Sequence, residues 1–225
     1  MDIRLEWRHA THTRDRGLIL YAQKPKILGV VLAGGLSSRF GSDKAAALLG
    51  EKSMLHHVCT RAAPQVQRLL INCNGEMVAD VDRAYDVLAD DHPGDGPVAG
   101  ILAGLERAAA DGYPLLATFP CDTPFFPVDL VARLYAKLER SSADFCLPCR
   151  GNDTHRAFGL WRMSCVQALA RGFRQGLRSL QSVEQILIPV TVAFPLQGEG
   201  PGGDLFFNIN TAADLARATV WLQGH

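Results

Sequence analysis

Charge of one sign is what this sequence most plainly lacks. Its 23 Lys and Arg residues face 23 Asp and Glu residues, a formal net charge of zero. Without a basic excess there is no long-range field for a polyanion, which argues against a dedicated nucleic-acid binder. A small anionic substrate stays open, because a few local donors suffice to hold it. Long hydrophobic runs are also missing. No stretch approaches the ~20 apolar residues of a membrane span. The charged segment from Met1 to Arg16 carries no apolar block of signal-peptide type. The expected setting is therefore cytoplasmic, with neither a membrane nor a nucleic acid as partner.

Cysteine is too scarce for a disulfide-dense scaffold: there are six, Cys59, Cys73, Cys121, Cys146, Cys149 and Cys165, mostly inside apolar runs. They read as reduced core residues rather than a disulfide framework. Cys146 and Cys149 have the CxxC spacing, but a zinc site would want a second Cys pair or a His pair at ligand spacing, and none is evident.

What the chain does have is a hydrophobic share of 48% against 20% charged residues, enough to build a core. Its 225 residues suit one large α/β domain. Residues 1–24 are polar and lean basic, and read as a loosely ordered N-terminal extension. From residue 25 to residue 225 the chain alternates apolar strands with amphipathic helices. Strands are expected at residues 27–32, 66–71, 86–89, 115–119, 145–147, 158–161 and 190–194. Ser53 is a helix cap with Met54, Leu55, Val58, Cys59 and Ala62 on one face, and Pro64 stops that helix. A short helix is expected at residues 77–84. Further helices open at Pro97 and Pro127 and run near residues 165–174 and 180–187. The glycine-rich stretch 198–203 reads as a flexible loop. Thr211 begins the last helix, with Asp214 three residues on as in a capping box. The pattern predicts an α/β fold, a single Rossmann-like, doubly wound, mostly parallel sheet with right-handed crossovers.

Two segments carry chemistry. Leu32-Ala33-Gly34-Gly35-Leu36-Ser37-Ser38-Arg39-Phe40-Gly41-Ser42-Asp43-Lys44 follows the first strand. Gly34 and Gly35 let backbone N–H groups approach a ligand, while Arg39 and Lys44 add positive charge. Such a loop is a phosphate cradle at the carboxyl edge of the sheet, where open α/β folds bind ligands. It is not a Walker loop, since Ser42 and Asp43 separate Gly41 from Lys44, and its glycine spacing is not that of a dinucleotide fingerprint. The second segment is Pro120-Cys121-Asp122-Thr123-Pro124. Its carboxylate follows a buried strand and so belongs at the same edge, where it is a natural magnesium ligand. Taken alone, Asp122 reads equally as a turn cap before Pro124.

Taken together, these residues resemble the molybdenum cofactor guanylyltransferases, whose loop signature is LAGGxSxRMGxDK. Further matches follow in the family's order: Asn72-Cys73-Asn74, Gly96-Pro97-Val98-Ala99-Gly100, Cys121-Asp122-Thr123-Pro124-Phe125, His155 with Phe158, and Asn208-Ile209-Asn210-Thr211. The resemblance spans roughly residues 27–220. It implies a nucleotidyltransferase fold and transfer of GMP from GTP to the terminal phosphate of molybdenum-loaded molybdopterin, with release of pyrophosphate. On that resemblance, Leu32, Ala33, Gly34 and Gly35 touch GTP, and Arg39 and Lys44 hold the triphosphate. Asn72 and Asp90 help select the nucleoside, and Asp122 holds Mg2+. Asn208, Asn210 and His155 lie on the molybdopterin side. Transient contact with molybdoenzymes and with a GTP-binding helper protein is also implied.

The chemistry is consistent with that implication. An attacking phosphate is already an anion and needs little general-base help, so positioning and charge neutralisation should dominate. The chain departs from the family pattern in three places. Phe40 replaces Met, Arg156 stands where a proline often follows the histidine, and Leu177-Arg178-Ser179-Leu180 lacks a basic pair. The rival readings are a related nucleotidyltransferase using CTP or a sugar-phosphate acceptor, and a non-catalytic nucleotide-binding assembly factor. Gly35, where cytidylyl relatives tend to carry alanine, favours guanine.

Overall fold

The continuous apolar run Ile27–Leu32 (β1) forms a strand buried on both faces, as the centre of a parallel sheet requires. In the computed structural model, which describes residues 25–34, 44–73, 80–81, 85–89 and 95–224 with only the backbone at Lys44, alternate β1 side chains feed two cores. Ile27 and Val31 join one core, and Leu28, Val30 and Leu32 join the other. This is the two-residue period of a strand. Full burial of each such side chain contributes about 1.5–3 kcal/mol.

After β1 the described elements run through the hairpin Leu48–Leu49 (β2) and Lys52–Ser53 (β3), then helix Met54–Ala62 (α1), and strands Arg68–Asn72 (β4) and Asp86–Leu88 (β5). Helix Pro97–Ala110 (α2), strand Leu115–Pro120 (β6) and helix Leu130–Leu138 (α3) complete the first half. The second half contains Phe145–Arg150 (β7), Asp153–Thr154 (β8), Gly159–Arg162 (β9), Cys165–Arg174 (α4), Leu180–Val183 (α5), Pro189–Ala193 (β10) and Ala212–Gln223 (α6).

The main sheet has the order β10-β7-β9-β6-β1-β4-β5, with β8 paired to β7. Pairs β1–β4, β1–β6, β4–β5 and β7–β10 are parallel, whereas β9 runs antiparallel to both β6 and β7. Helices α1 and α3 pack on one face, and α2 and α4 on the other. A smaller apolar cluster joins the β2–β3 hairpin to α6 through Leu49, Met54, Phe125, Ile209 and Ala218. The expected doubly wound, mostly parallel sheet is what the chain forms.

The helix ends follow local chemistry. Ser53 Oγ accepts the His56 amide at 3.0 Å, satisfying one of the donors that the first turn of a helix leaves unpaired. At α6, Thr211 and Asp214 form the reciprocal capping box.

Several boundaries differ from expectation. Helix α3 begins at Leu130 because Pro127 sits in the preceding turn, with its carbonyl accepting the Leu130 amide. Helix α5 is four residues long. Beyond it the amides of Glu184, Gln185 and Ile186 bond three residues back, tightening the chain ahead of β10. The glycine-rich loop is closed, by a 2.9 Å bond from the Gly198 amide to the Gly203 carbonyl and a 3-10 turn at Pro201–Gly203. The extension at 1–24 lies outside the described residues, as does most of the expected 77–84 helix.

All six cysteines are free thiols. Burial pushes Cys59, Cys146 and Cys165 up to about 12, which leaves them protonated and unreactive. Cys146 and Cys149, three apart along β7, point to opposite faces of the sheet, so their CxxC spacing makes no chelating pair. Among the described residues, no helix is long and apolar enough to cross a membrane.

Candidate active site

Register brings the two chemical segments together. Leu32 and Pro120 are partners at the ends of β1 and β6, so Ala33-Gly34 and Cys121-Asp122 leave the sheet side by side. The Cys121 amide donates to the Leu32 carbonyl at 3.3 Å, and the Ala33 amide to the Asn72 carbonyl at 3.0 Å. These bonds tie the ends of three adjacent strands at the edge where doubly wound sheets bind ligands.

The reversed β9 supplies the rest. Thr118 pairs with Gly159 and Leu115 with Arg162, so the start of β9 lies beside the end of β6. The segment entering β9, residues 155–158, therefore arrives at the same edge as Asp122. A cavity of about 500 Å³ opens there, a volume suited to a small-molecule ligand. Leu32, Ala33, Gly34, Pro97 and Pro120 to Thr123 line it from the first half of the chain. Thr154 to Phe158, Leu180, Phe206 and Asn208 line it from the second.

Asp122 is half-buried, and its carboxylate accepts the Thr123 hydroxyl at 3.1 Å. Its carbonyl accepts the Ile209 amide at 2.8 Å, linking the Asp122 turn to the segment that carries Asn208. Among the described lining residues Asp122 is the sole carboxylate. One carboxylate beside the Ala33-Gly34 backbone fits magnesium, which takes few protein ligands and completes its shell with substrate oxygens and water.

His155 stacks on Phe206, with ring centroids 4.2 Å apart and planes at 20°. Phe206 is held in turn by its amide, which donates to Asp204 Oδ1 at 3.0 Å. The His155 backbone is fixed by its amide to the Pro148 carbonyl, and its own carbonyl accepts the Phe158 amide. Burial holds the imidazole below its ordinary value of 6.5, with Arg150 adding to that and Asp204 and Asp153 opposing it. Nε2 is buried and has no protein partner, an unmet hydrogen-bonding capacity.

Asn72 is buried at the end of β4. Its Nδ2 donates to the Leu88 carbonyl at 3.1 Å, and the side chain sits against Gly34 rather than in the cavity lining. A Cβ at Gly100 would stand 2.3 Å from Asn72 Oδ1, so only glycine at that point of α2 allows the asparagine its place. Asn208 lines the cavity. Asn210 does not, and its amide donates to Asp214 Oδ2 at 3.1 Å at the start of α6. Lys44 opens a 3-10 turn at Lys44–Ala46. Gly35, Arg39 and Asp90 lie outside the described residues. Thr123, Thr154, Arg156, Leu180 and Phe206 also line the cavity, and of these Arg156 and Leu180 lie in the two later stretches that depart from the family pattern.

Comparison with known proteins places this geometry in a family. A MobA-like NTP transferase domain matches residues 29–187. A molybdenum cofactor guanylyltransferase of Rhizobium leguminosarum bv. trifolii is 41% identical, over 89% of this chain and 95% of its own length. A second, from Bradyrhizobium sp. (strain ORS 278), is 37% identical, over 84% of this chain and 90% of its own. The crystal structure of molybdopterin-guanine dinucleotide biosynthesis protein A from Archaeoglobus fulgidus superposes with a TM-score of 0.69 at 25% identity, covering 88% of this chain and all of that one. With its glycine loop and Asp122 turn at one sheet edge, the chain belongs to the molybdenum cofactor guanylyltransferase family.

Proposed function

We propose that this chain transfers GMP from GTP to the terminal phosphate of molybdenum-loaded molybdopterin and releases pyrophosphate. The observation that carries this reading is the shared cavity, in which Gly34 and Asp122 meet His155 and Asn208 at one sheet edge. The first group suits a nucleoside triphosphate and the second a separate acceptor, which is what a two-substrate transfer needs. Family membership supports the same assignment.

In this reading the backbone around Gly34 cradles the phosphates, and Asn72 buttresses that loop from behind. Asp122 would hold Mg2+. A bound magnesium ion would offset negative charge on the triphosphate. Arg39 and Lys44 add positive charge from the glycine-rich loop, a role that rests on the sequence signature alone. Gly35 and Asp90 keep their proposed places at the nucleoside on the same ground. His155, with its ring fixed by Phe206, forms part of the wall on the acceptor's side. The acceptor phosphate supplies the nucleophile, so the protein's task is to orient two polyanions in line and neutralise them. A cytoplasmic setting and transient contacts with molybdoenzymes and a GTP-binding helper protein complete the proposal.

The test is incubation with GTP, magnesium and molybdenum-loaded molybdopterin, followed by mass analysis of the pterin product. A guanine dinucleotide formed only with magnesium is the expected result. Preference for CTP, with pyrophosphate released from CTP alone, would overturn the assignment.

A further inference from the structure

Among the described residues that line the cavity, Arg156 is the only Lys or Arg side chain. It comes from the same segment as His155, in the half of the wall built after β6. Its Nε donates to Glu184 Oε1 at 2.6 Å, and Glu184 follows directly on α5, whose first residue Leu180 also lines the cavity. A charge-assisted bond of that length orients the guanidinium. The Nη1 and Nη2 groups remain as donors, and their planar fork suits a phosphate. Arg178, whose carbonyl lies close to Gly96 beside the lining residue Pro97, is committed elsewhere. It donates to the Phe173 carbonyl at 2.6 Å, pairs with Asp95 at 3.2 Å, and stacks over the Phe173 ring at 4.0 Å.

We infer that Arg156 is the acceptor-phosphate ligand of this site, a specificity-determining residue oriented by Glu184. The inference rests on the guanylyl-transfer reading for the identity of the acceptor. The described ionic groups of the wall are Asp122, assigned above to magnesium, and Arg156, so Arg156 is the described side-chain cation placed to meet an acceptor phosphate.

Arg156→Gln and Arg156→Lys test this in the full chain. With GTP saturating, Arg156→Gln should raise the acceptor KM by about ten- to a hundredfold while the KM for GTP stays within about twofold, the signature of a lost contact to one substrate. Arg156→Lys, which keeps charge but loses the fork, should fall between wild type and Arg156→Gln. Thermal unfolding midpoints should match wild type, since the side chain is partly exposed. Binding of metal-free molybdopterin, followed by its own fluorescence, provides a readout independent of turnover, and it should weaken in the same order. An unchanged acceptor KM in Arg156→Gln, or an equal rise in the KM for GTP, overturns the inference. If wild type forms no guanine dinucleotide, the functional reading fails. Arg156-dependent pterin binding would then still support the ligand role, and equal pterin binding by wild type and Arg156→Gln would refute it.

Discussion

The Ile209 amide donates a 2.8 Å hydrogen bond to the Asp122 carbonyl, and the Ile209 side chain is fully buried between the β2–β3 hairpin and α6. One residue thus anchors the late asparagine segment both to the carboxylate turn and to a core. Ile209→Ala should cost about 2–5 kcal/mol from lost packing and the cavity it leaves. Denaturant unfolding measures that cost. Asp122→Asn should keep the backbone link and the stability, yet lower kcat by about a hundredfold or more if the charge serves the transition state. Near wild-type turnover in Asp122→Asn would remove Asp122 from the mechanism.

Gly100 and Asn72 form a second coupled pair. Gly100→Ala should displace the asparagine amide and weaken GTP binding. The two sites should be strongly non-additive, with Asn72→Ala in the Gly100→Ala background costing less than it does alone. A double-mutant cycle on GTP affinity reads this directly, and strict additivity would mean that the close approach has no bearing on the nucleotide.

His155 gives a pH prediction. Burial depresses its folded-state value below 6.5, so the unfolded chain binds the proton first as pH falls. Stability should therefore decline as pH drops through 6.5 toward the lower folded value, and be unaffected by this group above it. His155→Phe, which keeps a ring against Phe206, should lose less stability than wild type between about pH 7 and pH 5. Parallel stability curves for the two proteins would contradict the burial argument.

Asp214 runs the opposite way. Hydrogen bonds from Arg217 and Thr211 hold its carboxyl down at about 2, against an ordinary 3.8. Its contribution is present above 3.8 and fades as pH falls toward 2. Thr211→Ala, which breaks the capping box, should cost about 1 kcal/mol at neutral pH. The stability gap between wild type and Asp214→Ala should close in acid, as measured by urea unfolding at stepped pH.

The elements that sequence alone made legible are those where local pattern and final packing agree. β1, β6, α1 and α2 follow from apolar periodicity, and Ser53 and Thr211 from cap chemistry. The β2–β3 hairpin was missed because two-residue strands are too short to show a period. The direction of β9 was missed for a different reason. An apolar run such as Phe158-Gly159-Leu160-Trp161 reads the same whichever way it lies in the sheet, and only its neighbours fix its sense. The site divides along the same line. Gly34 and Asp122 could be placed together because parallel strands bring their carboxyl ends to one edge. Thr154 and Phe206 could not, since no motif singles them out and each reaches the cavity only through the packing of the second half of the chain.

That reversal has a consequence for how such a chain changes over generations. The cavity lining falls into two stretches, residues 32–123 and 154–208, which the proposed function gives to the nucleotide and to the acceptor. Substitutions in the later stretch can retune what is accepted while leaving what is donated untouched. On that reading, two traits of one enzyme are free to drift at separate rates.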